Sequence, residues 1–255
     1  MKLSLLTYLL GKDMSLDELF DVVHTTRIEG LELRAELGHQ HGVELELDAA
    51  QRAEVKRRFE DARIPFVCLA TSCLFDGLDE SVRRIHIDRA KQYCDLAADC
   101  GAPRIRVFGN AFPAGADKAQ VVENVGASLR EIAEHAATRN VDVCLEMHGD
   151  FYWWEYTLKA VELANHPCVG IVHNCDPREM RFGPISAFYE PLKHHIRHVH
   201  MHNLEEPYPY RALFGMLKRD GYGGFMSIEA NESSDPRRVI AVYAALWHEM
   251  VANSG

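Results

Sequence analysis

The sequence predicts a single (β/α)8 TIM barrel of the α/β class, and three observations carry that expectation. Short apolar runs alternate with longer amphipathic ones eight times over in 255 residues, the rhythm and size of eight βα units. The last four apolar runs all end in carboxylates, imidazoles or amides, which is where such a barrel carries its chemistry. No linker, low-complexity tract or composition shift interrupts the chain, so residues 1–255 read as one domain.

The elements follow in order. KLSLLTY (2–8) is apolar and strand-like, and 15–28 reads as a helix opened by Ser15 and Glu18 at capping-box spacing. GLELR (30–34) is the second strand, followed by a helix over 48–63. IPFVCLATS (64–72) is the third strand, followed by a helix over 79–100. PRIRVFG (103–109) is the fourth, followed by 117–139. VDVCLEMH (141–148) precedes a helix over 155–165, and CVGIV (168–172) precedes a short one over 184–193. IRHVHMH (196–202) is the seventh strand, followed by 208–219. GFMSIE (224–229) is the eighth, and 235–253 closes the chain as a helix. A doubly wound open sheet is the competing architecture. It favours a glycine-rich turn after the first strand, where Leu9-Leu10-Gly11-Lys12 offers one glycine.

Composition bounds the function. A net charge of -10 argues against a nucleic-acid backbone as partner, which calls for a basic face. Seven scattered cysteines, with no CxxC pair, fit reduced thiols in a cytoplasm rather than a disulfide framework. LSLLTYLL (3–10) is short, lacks a small-residue cleavage site and reads as a buried first strand, not a signal core. No apolar run is long enough to span a membrane.

HIRHVHMHN (195–203) holds four histidines in nine residues. His198, His200 and His202 share strand parity with Ile196, while Val199 and Met201 fall between them. A strand here has imidazoles on one face and apolar packing on the other. His198 sits deeper and reads as a satisfied core histidine, whereas His24, His86, His135 and His248 fall in helical patterns. Strand five ends in Glu146-Met147-His148, strand six in His173-Asn174-Cys175-Asp176, strand seven in His200-Met201-His202 and strand eight in Glu229-Ala230-Asn231. Strand two carries Glu32 and Arg34, and strand four Arg106. Two glutamates with one or two histidines and an amide or carboxylate suit one divalent ion such as Mn, Co, Zn or Fe. Phe151-Tyr152-Trp153-Trp154 has two open readings, loop packing or an aromatic wall against a sugar.

These residues resemble the xylose-isomerase-like TIM barrels, a group of sugar isomerases, epimerases, inosose dehydratases and abasic-site endonucleases. LEMHGDF, HVH and SIE match the family's signatures on strands five, seven and eight. The resemblance implies metal ligands at Glu146, His200 and Glu229 and a substrate contact at His148. Strand six departs from the pattern. Anchoring on Val169-Gly170 puts Asn174 at the ligand position and Pro177 where a histidine is usual; sliding by one puts His173 and Asp176 there. The glycine anchor keeps Asn174 inward and turns His173 towards the helices. The resemblance also implies a homodimer paired through rim helices.

The expected activity is a metal-dependent isomerase or epimerase of a sugar or sugar phosphate. Glu146 and Glu229 would move protons α to a carbonyl, through a metal-stabilised enediolate. Arg106, Arg211, Asp176 and His148 are candidate substrate anchors, with Arg106 and Arg211 equally readable as structural ion-pair partners. The alternative is a dehydratase or lyase that eliminates β to the carbonyl in the same site. The resemblance also implies that an abasic-site nuclease needs further histidines at the ends of strands three and four, where this chain has Thr71-Ser72 and Gly109-Asn110, and a non-catalytic sugar-binding barrel would follow from loss of the ion at Asn174.

Overall fold

The computed structural model describes residues 1–254. Eight strands close into a parallel barrel in chain order: β1 (Lys2–Leu6), β2 (Gly30–Arg34), β3 (Phe66–Leu74), β4 (Arg104–Phe108), β5 (Asp142–Glu146), β6 (Val169–Asn174), β7 (Ile196–Met201) and β8 (Phe225–Ile228). β8 pairs with β1, so no strand edge is left open. One helix follows each strand: α1 (Leu16–Thr25), α2 (Ala49–Ala62), α3 (Glu80–Cys100), α4 (Lys118–Thr138), α5 (Trp154–Ala164), α6 (Ile185–Leu192), α7 (Tyr210–Arg219) and α8 (Pro236–Ala252). This is the single (β/α)8 TIM barrel expected from the sequence.

The helices start where side chains satisfy their free N–H groups. Ser15 and Glu18 form the capping box of α1, and Asp48 with Gln51 forms one on α2. Outward strand residues such as Val199, Met201, Leu145 and Ile171 are fully buried against the helix ring and supply the core. All seven cysteines are free. No helix among the described residues is long and apolar enough to cross a membrane.

The differences from the expected boundaries have local causes. α1 stops at Thr25 because Thr26 is extended and Ile28 is buried on the approach to β2. β5 leaves the ladder at Glu146, two residues early, since Gly149–Tyr152 winds into a 3-10 turn immediately after it. A second 3-10 turn, Pro177–Arg181, opens the loop after β6 and is capped by Asp176. Neither turn carries enough periodicity to be read from sequence.

α4 and α5 approach closely at Gly126. A Cβ there would lie 2.7 Å from the Leu163 Cβ and 3.0 Å from the Ala160 carbonyl oxygen. Gly126→Val therefore overpacks this contact, and urea unfolding is expected to show a loss of about 1–3 kcal/mol.

Candidate metal centre

Parallel register gathers the polar side chains at the barrel's C-terminal mouth. Glu146 ends β5 opposite Phe108, Asn174 ends β6 opposite His200, and His200 lies opposite Ser227 on β8. Glu229 follows β8, tied in by its N–H to the Met201 carbonyl at 2.8 Å. Because strand side chains alternate, His198 and His200 both point into the barrel while Val199 and Met201 face the helices.

One oxygen or nitrogen each from Glu146, His200 and Glu229 lies within 4.8 Å of the others. His200 Nδ1 is 3.4 Å from Glu146 Oε1 and 3.6 Å from Glu229 Oε2. His200 Nδ1, Glu146 Oε2 and Glu229 Oε2 are buried and have no hydrogen-bond partner among the described residues. Buried polar atoms are rarely left so. One nitrogen and two carboxylates converging this way fit a borderline divalent ion such as zinc or manganese.

The opposite side of His200 is fully occupied. Its Nε2 donates to both oxygens of Glu32 at 3.1 Å. Glu32 also accepts from His198 Nε2 at 2.7 Å and from the Ser227 hydroxyl at 2.6 Å, and Ser4 lies 2.8 Å beyond Ser227. With the Nε2 proton held by Glu32, Nδ1 is the ring nitrogen that gains a lone pair when a cation displaces the second proton. Glu32 thereby fixes the ring so that Nδ1 faces Glu146 and Glu229. A second cluster, Glu32 with His198 and His200, also has ligand atoms within 4.8 Å of one another. Its donors already satisfy the carboxylate.

Glu146 is held by two further groups. Arg106 Nε lies 3.0 Å from its Oε2, poorly aligned for a hydrogen bond, and the Asn174 amide donates to Oε1 at 2.8 Å. His202 Nε2 sits 2.7 Å from Asn174 Oδ1. The environments separate the two carboxyls. Burial would raise Glu146, but the Arg106 and His200 charges outweigh it and hold it at about 2. Burial pushes Glu229 up to about 7, with the Glu146 charge adding to the rise and His200 opposing it. Burial alone would deprive His200 of its second proton, yet Glu32 and Glu146 raise it well above the ordinary histidine range.

The structure does not bring all the expected residues to this point. His148 stands exposed on the rim, its ring 4.8 Å from that of Phe108. Asp76 accepts from the Asn110 amide at 3.3 Å, which presents Asn110 Oδ1 to His148 Nδ1 at 3.1 Å and leaves Nε2 as an acceptor. Gly149 makes this approach possible: φ is +62°, and a Cβ would lie 2.2 Å from the Asn110 carbonyl oxygen. Arg106 is buried, donates to the Thr71 carbonyl at 2.9 Å and lies over Phe108. Asp176 is paired with Arg178, with Arg178 Nε 2.8 Å from Asp176 Oδ2. Arg211 is exposed on α7 and makes no hydrogen bond or ion pair among the described residues. His173 faces the helices and meets the Tyr208 hydroxyl at 3.0 Å, with Glu179 behind it.

Sequence reading left Glu32 and His202 without a role. The available signal was parity: Glu32 sits at the inward position of GLELR, in a strand buried along its whole length.

A family model described as xylose isomerase-like TIM barrel matches residues 20–248. The chain belongs to this family. Among solved structures of the same fold, the 3-keto-D-glucoside 4-epimerase YcjR from E. coli aligns with a TM-score of 0.80 and 16% identity, covering 98% of this chain and 99% of that one. The IolI protein with a bound zinc atom gives 0.81 and 15%, covering 100% and 99%. The probable 3-DHS dehydratase AsbF from Bacillus anthracis gives 0.75 and 16%, covering 97% and 99%. A search of curated proteins finds no match to this sequence. Solved structures of similar fold also include an L-ribulose 3-epimerase and a D-tagatose 3-epimerase-like protein.

The two carboxyls should respond oppositely to neutralisation. Glu229 has a raised value, so it costs stability above the unfolded value of 4.5, and the cost is complete once pH passes about 7. Glu146 has a lowered value, so it adds stability above 4.5 that is lost as pH falls towards about 2. In chelator at pH 8, Glu229→Gln should raise the urea midpoint. Glu146→Gln should lower stability by about 3–5 kcal/mol, because it leaves Arg106 buried and unpaired.

Proposed function

We propose that this chain is a divalent-metal-dependent sugar isomerase or epimerase that removes a proton α to a carbonyl. The observation that carries the reading is the convergence of His200 Nδ1, Glu146 and Glu229, in which His200 Nδ1, Glu146 Oε2 and Glu229 Oε2 are buried atoms without a hydrogen-bond partner among the described residues. These residues would hold the ion. Asn174 can join them by a half-turn of its amide, because a neutral His202 accepts as readily as it donates; burial keeps His202 low. The ion, when bound, supplies positive charge that polarises a sugar carbonyl and its neighbouring hydroxyl.

The chain's own groups divide the remaining tasks. Glu146 is anchored by Arg106 and Asn174 and is 1% exposed in its side chain, so it serves as the fixed negative charge of the site. Glu229 is 16% exposed, reaches the mouth and is the carboxyl whose affinity for protons lies nearest neutrality, which suits it to take the proton from carbon. His148 Nε2, free of protein partners by the Asn110 contact, is placed on the rim to bind a substrate hydroxyl.

A second reading ends the same proton abstraction in elimination. Pro177 begins the 3-10 turn after β6, where the family pattern has a histidine, and a dehydratase shares the fold. A product absorbing as an enone marks that outcome; a product without it marks isomerisation or epimerisation.

Solvent deuterium exchange into a panel of keto sugars, with Mn(II) in excess, tests the assignment. Glu229→Gln should lower exchange by about 10²–10⁴-fold, the contribution of a positioned base. Glu146→Gln should lose both exchange and bound metal by elemental analysis. Full exchange in Glu229→Gln removes that residue from the reaction.

A further inference from the structure

The FYWW stretch after β5 divides its four aromatic rings between two tasks. Phe151 is fully buried and Trp154 packs on the core, whereas Tyr152 and Trp153 turn outward. With Phe112, Tyr156 and Phe182 they line a cavity of about 230 Å³ between the loops after β4, β5 and β6. Its rim carries Lys118 and Asp150. Phe112 and Tyr156 meet edge to face at 4.8 Å, and Trp153 meets Phe182 at 4.9 Å, so the walls are rigid against one another. Phe182 nonetheless stays 59% exposed.

Three of the polar groups at the cavity are free to bind. The Tyr152 and Tyr156 hydroxyls make no hydrogen bond among the described residues, and Lys118 has no carboxylate partner among them, its Nζ standing 5.1 Å from the Phe112 ring centre. Apolar faces edged with hydroxyl, ammonium and carboxylate groups match a pyranose, whose C–H faces are apolar and whose rim is hydroxylated. The volume falls below the roughly 300–1,000 Å³ of pockets for drug-sized ligands, leaving room for one ring.

The cavity adjoins the rim at His148, the candidate substrate contact. Asp150 lines it two residues after His148, so their Cα atoms are at most about 7 Å apart. Asp150 Oδ2 accepts the Phe112 N–H at 2.8 Å, and Arg178 lies over Tyr152 at 4.0 Å while donating to the Gly149 carbonyl at 3.1 Å, which locks the cavity wall to the rim.

We propose that this cavity is a second-sugar subsite, so that the substrate is a glycoside with one ring at the metal centre and the next seated on Tyr152, Trp153 and Phe182. The inference rests on the sugar-transforming reading of the metal centre. Isothermal titration of the full chain tests it, using methyl α- and β-glucoside as one-ring probes and cellobiose, maltose and trehalose as two-ring probes. At least one disaccharide should bind roughly tenfold tighter than either methyl glucoside. Phe182→Ala and Tyr152→Ala, folded by circular dichroism, should each erase most of that excess and leave methyl glucoside binding unchanged. Equal binding of one-ring and two-ring probes overturns the subsite, as does an excess that both variants retain. The exchange assay reports separately on the metal centre. An excess that persists in Glu229→Gln supports the subsite even if the reaction is assigned differently. Active exchange without an excess rejects the subsite and leaves the reaction standing.

Discussion

The site depends on a buried carboxylate that touches no solvent. Glu32 lies inside the barrel, where bulky aliphatic side chains usually fill the layers. Removing a charge from water without partners is prohibitive. Glu32 is tolerated because His198, His200 and Ser227 all donate to it, from two strands on the other side of the β1 seam. Burial raises its affinity for a proton, yet the two imidazoles dominate and hold it well below the ordinary carboxylate range. Its consequence lies one layer higher: with Nε2 engaged, His200 offers only Nδ1 to the mouth.

That orientation gives the upper layer its asymmetry. Glu146 and Glu229 flank the same imidazole nitrogen, but Arg106 stands beside one and not the other. The result is one carboxyl kept ionised and one left with a proton near neutrality. Pairs of carboxyls driven apart in this way are how one site runs acid and base chemistry together. The arrangement works against apo stability at Glu229, whose raised value opposes folding near neutral pH, whereas the raised His200 favours it. A bound cation would favour the ionised Glu229, which couples metal occupancy to stability.

The fold was legible in the sequence because its signals are local and repeated. Eight apolar runs, capping residues such as Ser15 and Asp48, and strand parity at His198 and His200 each express the same geometry. The convergence of strand ends five to eight followed from barrel topology alone. The partners of those residues did not. That Arg106 pairs with Glu146, or that Asn174 presents its NH₂ to Glu146 and its oxygen to His202, depends on side-chain distances across strands far apart in sequence. Glu32 was visible as an inward charge, but its role depends on the barrel's closure through β8 and β1. The FYWW rings could not be sorted into packing and cavity without the 3-10 turn that splits them.

The central claim is that Glu32 aims His200 at a cation. It is tested most directly by competing Zn(II) away from the wild-type chain and from Glu32→Gln with a chromophoric chelator. Loss of an outer carboxylate that orients a ligating histidine should weaken the ion by about 10–100-fold. An unchanged Zn(II) affinity in folded Glu32→Gln protein would contradict the account.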